Sequence, residues 1–325
     1  MRSAILWCNL GTPDEPTPAA VRRYLAEFLS DRRVVEIPRA AWLPILYGLV
    51  LPLRASKSAA KYASIWMPQG SPLKVWTERQ ATLLQRHFAE QGRDVAVRYA
   101  MRYGNPSIAS QLDALVREGA SRIVVLTAYP QYAGSTTASV IDAVSQWKGR
   151  TRALPEFRFV NRYHEDAGYI EALAHRIEAH WQAHGRAEHL VMSFHGVPER
   201  TVELGDPYAD ECRQTAQRLA ARLQLASDAF TLSFQSRFGR AKWVGPATDE
   251  TLRSLARRGV KTVDVTCPGF TSDCLETLEE IAMEGRQTFL TSGGQDFRYI
   301  PCLNDDPQWI AALGAIAQRQ LSGWD

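Results

Sequence analysis

Cysteine is scarce in this chain of 325 residues: there are five, at positions 8, 212, 267, 274 and 302, and no two form a C-x-x-C pair. A dispersed, odd-numbered set excludes a disulfide framework and fits a reducing compartment. An excess of one charge is also lacking. Lys+Arg total 38 against 35 for Asp+Glu, a formal net of +3, and basic residues gather only in pairs such as Arg22-Arg23, Arg32-Arg33 and Arg257-Arg258. Nucleic-acid binding leaves a concentrated basic footprint, so no nucleic-acid partner is expected. Long hydrophobic runs are absent. The longest uncharged apolar stretch, AAWLPILYGLVLPL at 40–53, is shorter than the roughly 20 residues of a bilayer span and holds Pro44 and Pro52. The opening MRSAILWCNLGTPDEP carries one basic residue and a short apolar run. It predicts a first strand in place of a secretory signal, and hence a cytoplasmic protein. Phosphate-binding signatures are missing as well. Neither Asn9-Leu10-Gly11-Thr12-Pro13 nor Ser292-Gly293-Gly294 forms G-x-G-x-x-G or a P-loop, and no G-x-S-x-G occurs. Nucleotide binding and an α/β-hydrolase are unsupported.

What is present is ordinary globular material, 45% hydrophobic and 22% charged, in a length that suits two domains. Short β-rich runs at 3–9, 94–100, 121–128, 157–161, 189–194, 229–234 and 261–266 alternate with helical patterns at 17–29, 73–90, 107–118, 135–148, 166–184, 208–224, 248–258, 271–284 and 306–321. Several runs are almost wholly apolar, as parallel strands buried on both faces must be. The alternation predicts an α/β protein with right-handed crossovers. The pattern is duplicated, which places a domain boundary near 150–156, with domains over 1–152 and 153–304. Ligands of open α/β sheets sit beyond the carboxyl ends of the strands, so chemistry is expected in the loops that follow them, in a cleft between the domains.

Two such loops carry reactive groups. In SFHGVPERT, 193–201, His195 follows an apolar strand and emerges at its carboxyl end. A neutral imidazole there can accept a proton or bind a metal; the plain alternative is a histidine bonded to its own loop. In CPGFTSDCLETLEE, 267–280, Asp273, Glu276 and Glu280 are spaced i, i+3, i+7, which on a helix lines three carboxylates along one face. Such a row can hold a hard cation or relay protons, whereas Asp273 and Glu276 alone also fit a capping box. His180 and His184 have the i, i+4 spacing of a zinc pair without a third ligand, and a solvated helix face is expected for them. Aromatic residues recur in the presumed loops: Trp66, Tyr103, Tyr129, Tyr132, Tyr208, Phe238, Trp243 and Phe270. They could wall a cleft for a planar ligand or simply pack. The stretch 40–53 is either a core helix or an exposed lip.

Taken together and in order, NLGTP (9–13), FLSDRRVVEIPR (28–39), YASIWMPQGSPL (62–73), MRYGNP (101–106), YPQYAGSTTAS (129–139), SFHGVPERTVELGDPY (193–208), SFQSRFGRAKWVGPATDE (233–250), CPGFTSDCLETLEE (267–280) and YIPCLND (299–305) resemble the ferrochelatases, which insert ferrous iron into a porphyrin. The resemblance runs through nearly the whole chain. It implies two Rossmann-like domains with parallel sheets and a porphyrin cleft between them, and a C-terminal helix, 305–325, that returns to the first domain. It implies that His195 contacts metal and accepts pyrrole protons, that Glu276 stands across the metal site, and that Asp273 and Glu280 continue an acidic path for protons or metal. Leu10, Trp66, Tyr103, Tyr208, Trp243 and Phe270 fall in its porphyrin-binding segments, and 40–53 in a lip that implies peripheral contact with a membrane.

Two positions depart from parts of the family. Cys274 stands where some members have histidine. Leu10 stands where the coproporphyrin-using branch typically has tyrosine, which favours protoporphyrin IX as the substrate together with Fe²⁺. Some members carry a [2Fe–2S] cluster near the C-terminus, but Cys302 is the only cysteine after Cys274, so no cluster and no tightly bound cofactor is expected. A monomer is expected. The alternatives are a coproporphyrin III ferrochelatase, another tetrapyrrole chelatase for cobalt or nickel, and a porphyrin or haem carrier, in which the acidic row would have no purpose.

Overall fold

Near-continuous apolar segments separated by helices form two four-stranded parallel sheets. The computed structural model describes residues 2–239 and 241–324, and it divides into one unit of Met1–Asn161 with Leu313–Asp325 and a second of Arg162–Ala312. The first sheet contains β1 (Arg2–Gly11), β2 (Val95–Tyr103), β3 (Ala120–Thr127) and β4 (Glu156–Val160), in the order β2-β1-β3-β4. The second contains β5 (His189–His195), β6 (Phe230–Gln235), β7 (Thr262–Thr266) and β8 (Asp296–Tyr299), in the order β6-β5-β7-β8. Every pairing is parallel, and both sheets place their first strand beside the second and third.

Each unit has its own core. Ala4, Leu6 and Cys8 of β1 and Ile123 and Val125 of β3 pack on Leu112 and Leu115 of helix Ile108–Arg117 and on Val140, Val144 and Trp147 of helix Ser139–Lys148. In the second unit Val191, Val263 and Val265 pack on Leu252 and Leu255 of helix Thr248–Arg257 and on Phe289. Strands covered by helices on both faces need no polar alternation, which is why they read as unbroken apolar runs. Each sheet closes tightly at the end of its first strand. At Gly11, with φ at +114°, a Cβ would lie 1.8 Å from the carbonyl oxygen of Tyr103; at Gly196 it would lie 2.8 Å from that of Gln235.

The sequence boundary at 152/153 requires correction. Arg122 to Leu126 of β3 pair in register with Glu156 to Val160, so β4 completes the first sheet and the second unit begins after it. Leu154-Pro155 leads directly into the strand that starts at Glu156. Strand β8 was not anticipated, because its four residues, DFRY, are too few and too polar to register as a buried run. The stretch 40–53 is helical throughout, within Arg39–Ile45, a wide i→i+5 turn over Leu46–Val50, and Leu51–Ile65. Leu46 and Leu51 turn inward against Leu29, while Ile45, Tyr47, Leu49 and Leu53 are 45–62% exposed. Among the described residues no helix is long and apolar enough to cross a membrane.

Candidate active site

His195 is the last residue of β5, beside Gln235 at the end of β6 in the parallel register. Its Nδ1 lies 2.6 Å from the carbonyl oxygen of Gly196. A carbonyl can only accept, so Nδ1 carries the hydrogen and Nε2 of the neutral ring keeps its lone pair. The histidine is thus bonded to its own loop and also armed: the same bond that fixes the ring leaves the outer nitrogen able to take a proton or meet a metal. The Phe270 ring stands 6.5 Å from the imidazole, and Trp243 packs against Gly196, where a Cβ would come 3.1 Å from its ring. The Trp243 indole donates to the Phe238 carbonyl at 3.0 Å.

The acidic segment differs from the expected row. The helix begins at Glu276 and runs to Gly285 with i→i+5 bonding; Asp273 lies before it, in the loop after β7. Such widened turns frequently occur at functional sites. The expected alignment of three carboxylates on one helical face is therefore corrected to two, Glu276 and Glu280. Asp273 is buried and saturated: it accepts from Tyr299 Oη at 2.5 Å, Asn304 Nδ2 at 2.6 Å, Thr277 Oγ1 at 3.2 Å and Cys302 N at 3.3 Å. The capping box does not form, since Asp273 meets a side chain of the first turn and no backbone donor there.

Glu280 is held by Ser236, whose backbone N–H reaches Oε1 at 2.6 Å and whose hydroxyl reaches Oε2 at 2.5 Å. Burial raises its pKa; the Ser236 bonds and the nearby His195 oppose the rise, and Glu276 adds to it. Glu280 thus lies within electrostatic reach of both His195 and Glu276. The Cys274 thiol hydrogen-bonds the Glu276 side chain, and burial first, then that carboxylate, push its pKa well up. A polar network lies beneath. Gln235 donates to the Glu276 carbonyl at 2.7 Å and accepts from Ser193 Oγ at 2.6 Å, while Ser193 and Ser233 share Thr248 at 2.8 and 2.9 Å. Among the described residues no three His, Cys, Asp or Glu side chains gather into a metal cage.

Tyr208 lies apart, buried at the start of its helix, where its hydroxyl pairs with Cys212 and burial drives its pKa well above the usual tyrosine value. In the first unit Leu10 sits half-buried near the end of β1, and Trp66 ends its helix with its ring 6.4 Å from Tyr62. Tyr103 has no exposed face. Its hydroxyl donates to Asp31 at 2.8 Å, Arg102 pairs with Asp31 at 2.6 Å and lies over the Tyr103 ring, and Ser139 donates to Asp31 at 2.5 Å. Although burial opposes it, hydrogen bonds from Ser139, the Arg33 backbone and Tyr103, with the Arg102 charge, lower the Asp31 pKa. A carboxylate depressed in this way stabilises the fold above the ordinary aspartate pKa, and the stabilisation is lost as pH falls through the folded value. Asp31→Asn is expected to cost about 1–2 kcal/mol at pH 7 and to flatten the decline of Tm between about pH 5 and pH 3, read by thermal melts across that range.

His180 is corrected too. It is not on a solvated face but lies 3.6 Å from the buried Asp264, which also accepts from Trp181 Nε1 at 2.7 Å and pairs with Arg298 at 2.9 Å. Burial lowers its pKa despite that carboxylate. Sequence reasoning missed Gln235, Ser236, Tyr299 and Asn304. Each stood in a motif segment, but each acts through contacts 26 to 44 residues away.

Two parallel sheets of this order, with reactive groups at strand ends, form a fold shared with known chelatases. The structure is similar over its full length to SirB from Bacillus subtilis with Fe³⁺ (TM-score 0.58, 13% identity, covering 100% of this chain and 97% of that one). It is also similar to CbiX, the terminal enzyme for siroheme biosynthesis in denitrifying bacteria (TM-score 0.53, 14% identity, 99% and 100%). The ferrochelatase family model matches residues 2–321. The ferrochelatases of Methylibium petroleiphilum and Polaromonas sp. are 65% and 63% identical over 99% of this chain and 89% and 88% of theirs. The chain belongs to the ferrochelatase family and is a metal-insertion enzyme.

Proposed function

We propose that this enzyme inserts Fe²⁺ into protoporphyrin IX, releasing two protons, as the last step of haem biosynthesis. The observation that carries the proposal is the fixed His195 tautomer beside the carboxylates of the helix from Glu276. Insertion requires iron to shed water and two pyrrole N–H groups to lose protons. His195 Nε2 is positioned to accept those protons. Glu276 serves as a hard oxygen ligand opposite it, and so weak a set holds iron only in transit, where a thiolate cage would retain it. Glu280, its carboxyl pushed up by burial, suits a relay that takes and gives protons. Asp273 braces this relay. Phe270 and Trp243 supply apolar faces to the macrocycle, and bending of the ring against such walls would draw a few kcal/mol from remote binding energy. Leu10 favours protoporphyrin over coproporphyrin III. The proposed mechanism draws on no iron–sulfur cluster; within the given sequence Cys302 is the one cysteine after Cys274.

The deciding experiment is anaerobic incubation of the enzyme with Fe²⁺ and protoporphyrin IX, following loss of porphyrin fluorescence, beside a sample with coproporphyrin III. Catalytic turnover on protoporphyrin supports the proposal. Preference for coproporphyrin moves the enzyme to that branch, and stoichiometric quenching without product leaves a carrier.

We place the enzyme in the cytoplasm as a monomer, peripheral to the inner face of the membrane through Ile45, Tyr47, Leu49 and Leu53. These four exposed apolar side chains form a patch of the kind that marks an interaction surface. Sedimentation with anionic phospholipid vesicles is expected to fall several-fold in a Leu49→Asp, Leu53→Asp double variant, since burial of each leucine contributes about 1.5–3 kcal/mol. Equal sedimentation of both proteins would remove the membrane contact.

A further inference from the structure

The strand β6 ends in a backbone conformation that its sequence does not favour. Ser236 has φ at +64°, in the left-handed region that glycine enters freely and other residues enter at a cost. Its neighbours hold it there. Gln235 is anchored to Ser193 and to the Glu276 carbonyl, and Arg237 pairs with Asp249 at 3.0 Å and Glu250 at 2.9 Å on the helix Thr248–Arg257. The turn between these anchors brings two donors of a single residue onto the two oxygens of Glu280. Glycine would adopt this backbone more cheaply and would keep the N–H bond to Oε1. What it cannot supply is the hydroxyl on Oε2.

We propose that Ser236 is a positioning residue for metal insertion, and that its left-handed backbone and its hydroxyl together fix the Glu280 carboxylate toward His195 and Glu276. The assignment rests on the metal-insertion function proposed above. A carboxylate held at both oxygens cannot rotate, so its free lone pairs face one direction. Held by the backbone N–H alone, it would turn about its last side-chain bond. The geometry it offers to a cation or proton would then be spread over several rotamers. A residue selected only for the turn would be glycine or asparagine, so serine at this angle points to the hydroxyl.

The test is Ser236→Gly in the full-length enzyme, assayed anaerobically with Fe²⁺ varied at saturating porphyrin and then with porphyrin varied. Loss of one hydrogen bond to a charged group is expected to lower kcat/KM for Fe²⁺ by about tenfold or more, with the KM for porphyrin changed less than about twofold. The Tm is expected to stay level or rise, because the backbone strain is relieved. In a Glu280→Ala background the same substitution is expected to change kcat/KM for Fe²⁺ by less than about twofold, since its effect passes through that carboxylate. Absence of turnover in the unsubstituted enzyme overturns the proposed function and this assignment with it. With turnover established, unaltered kinetics in Ser236→Gly, a parallel fall in Tm, or full additivity with Glu280→Ala overturns this assignment alone.

Discussion

Replacement of His195 by Ala is expected to lower iron insertion by about a thousandfold, within the 10²–10⁴ that a positioned acid–base group contributes. Porphyrin affinity and Tm should change little. Among the described residues the imidazole's one hydrogen bond is to the carbonyl next along the chain, at 2.6 Å, so its removal orphans no distant donor. Nor does it open the core, because its ring is partly exposed at the strand end. Single-turnover insertion separates the two readings of this residue: loss of chemistry with porphyrin fluorescence quenching retained places the proton transfer at Nε2. If Tm fell sharply and porphyrin no longer bound, His195 would be a structural residue and the site would have to be sought elsewhere. His195→Gln is a useful companion, since it can preserve the bond to Gly196 and yet offers no titratable nitrogen.

Asp273→Ala is expected to act in the opposite manner, on stability ahead of turnover. The carboxylate, 5% exposed, collects the hydroxyls of Tyr299 and Thr277, the amide of Asn304 and the backbone N–H of Cys302. Each donor stranded in the interior costs about 1–3 kcal/mol, so the total loss is put at roughly 4 kcal/mol or more. For the unit of Arg162–Ala312 this corresponds to a fall in Tm on the order of 10 °C. Asp273→Asn should recover only part of it, because its amide nitrogen would face the donor of Asn304. A thermal melt decides the matter. An unshifted melt with turnover lost would return Asp273 to the proton path.

The strands and the position of His195 were legible because both follow from local chemistry: apolar runs covered on two faces, and a polar residue where such a run stops. Local spacing failed where a distant partner overrules it. Asp273 has the spacing of a helical row, but its partners at Tyr299, Cys302 and Asn304 draw it into a loop and the helix starts three residues later. His180 resembles a surface histidine until Asp264, 84 positions on, is folded against it. Gln235 and Ser236 carry no composition signal at all, since neither a glutamine nor a serine predicts a left-handed turn. The boundary was misplaced for a related reason: Leu154-Pro155 breaks a pattern, and only pairing with β3 shows that the next strand belongs to the sheet before it.

The shared strand order has a consequence for how chemistry is distributed along the chain. The end of β1 reads Leu10-Gly11-Thr12-Pro13 and the end of β5 reads His195-Gly196-Val197-Pro198. In both, the glycine abuts the last carbonyl of the neighbouring strand. The strand beside each also closes alike, with Met101 N donating to the Pro106 carbonyl at 2.7 Å and Phe234 N to that of Pro246 at 2.8 Å. Leu10 and His195 therefore occupy one address in two copies of a single architectural plan. Of the two copies of that address, one carries an imidazole and the other an aliphatic side chain. An aliphatic side chain at the first address can neither give nor take a proton, so on the proposed mechanism a substitution of Leu10 is expected to leave the proton-handling groups of the second unit untouched.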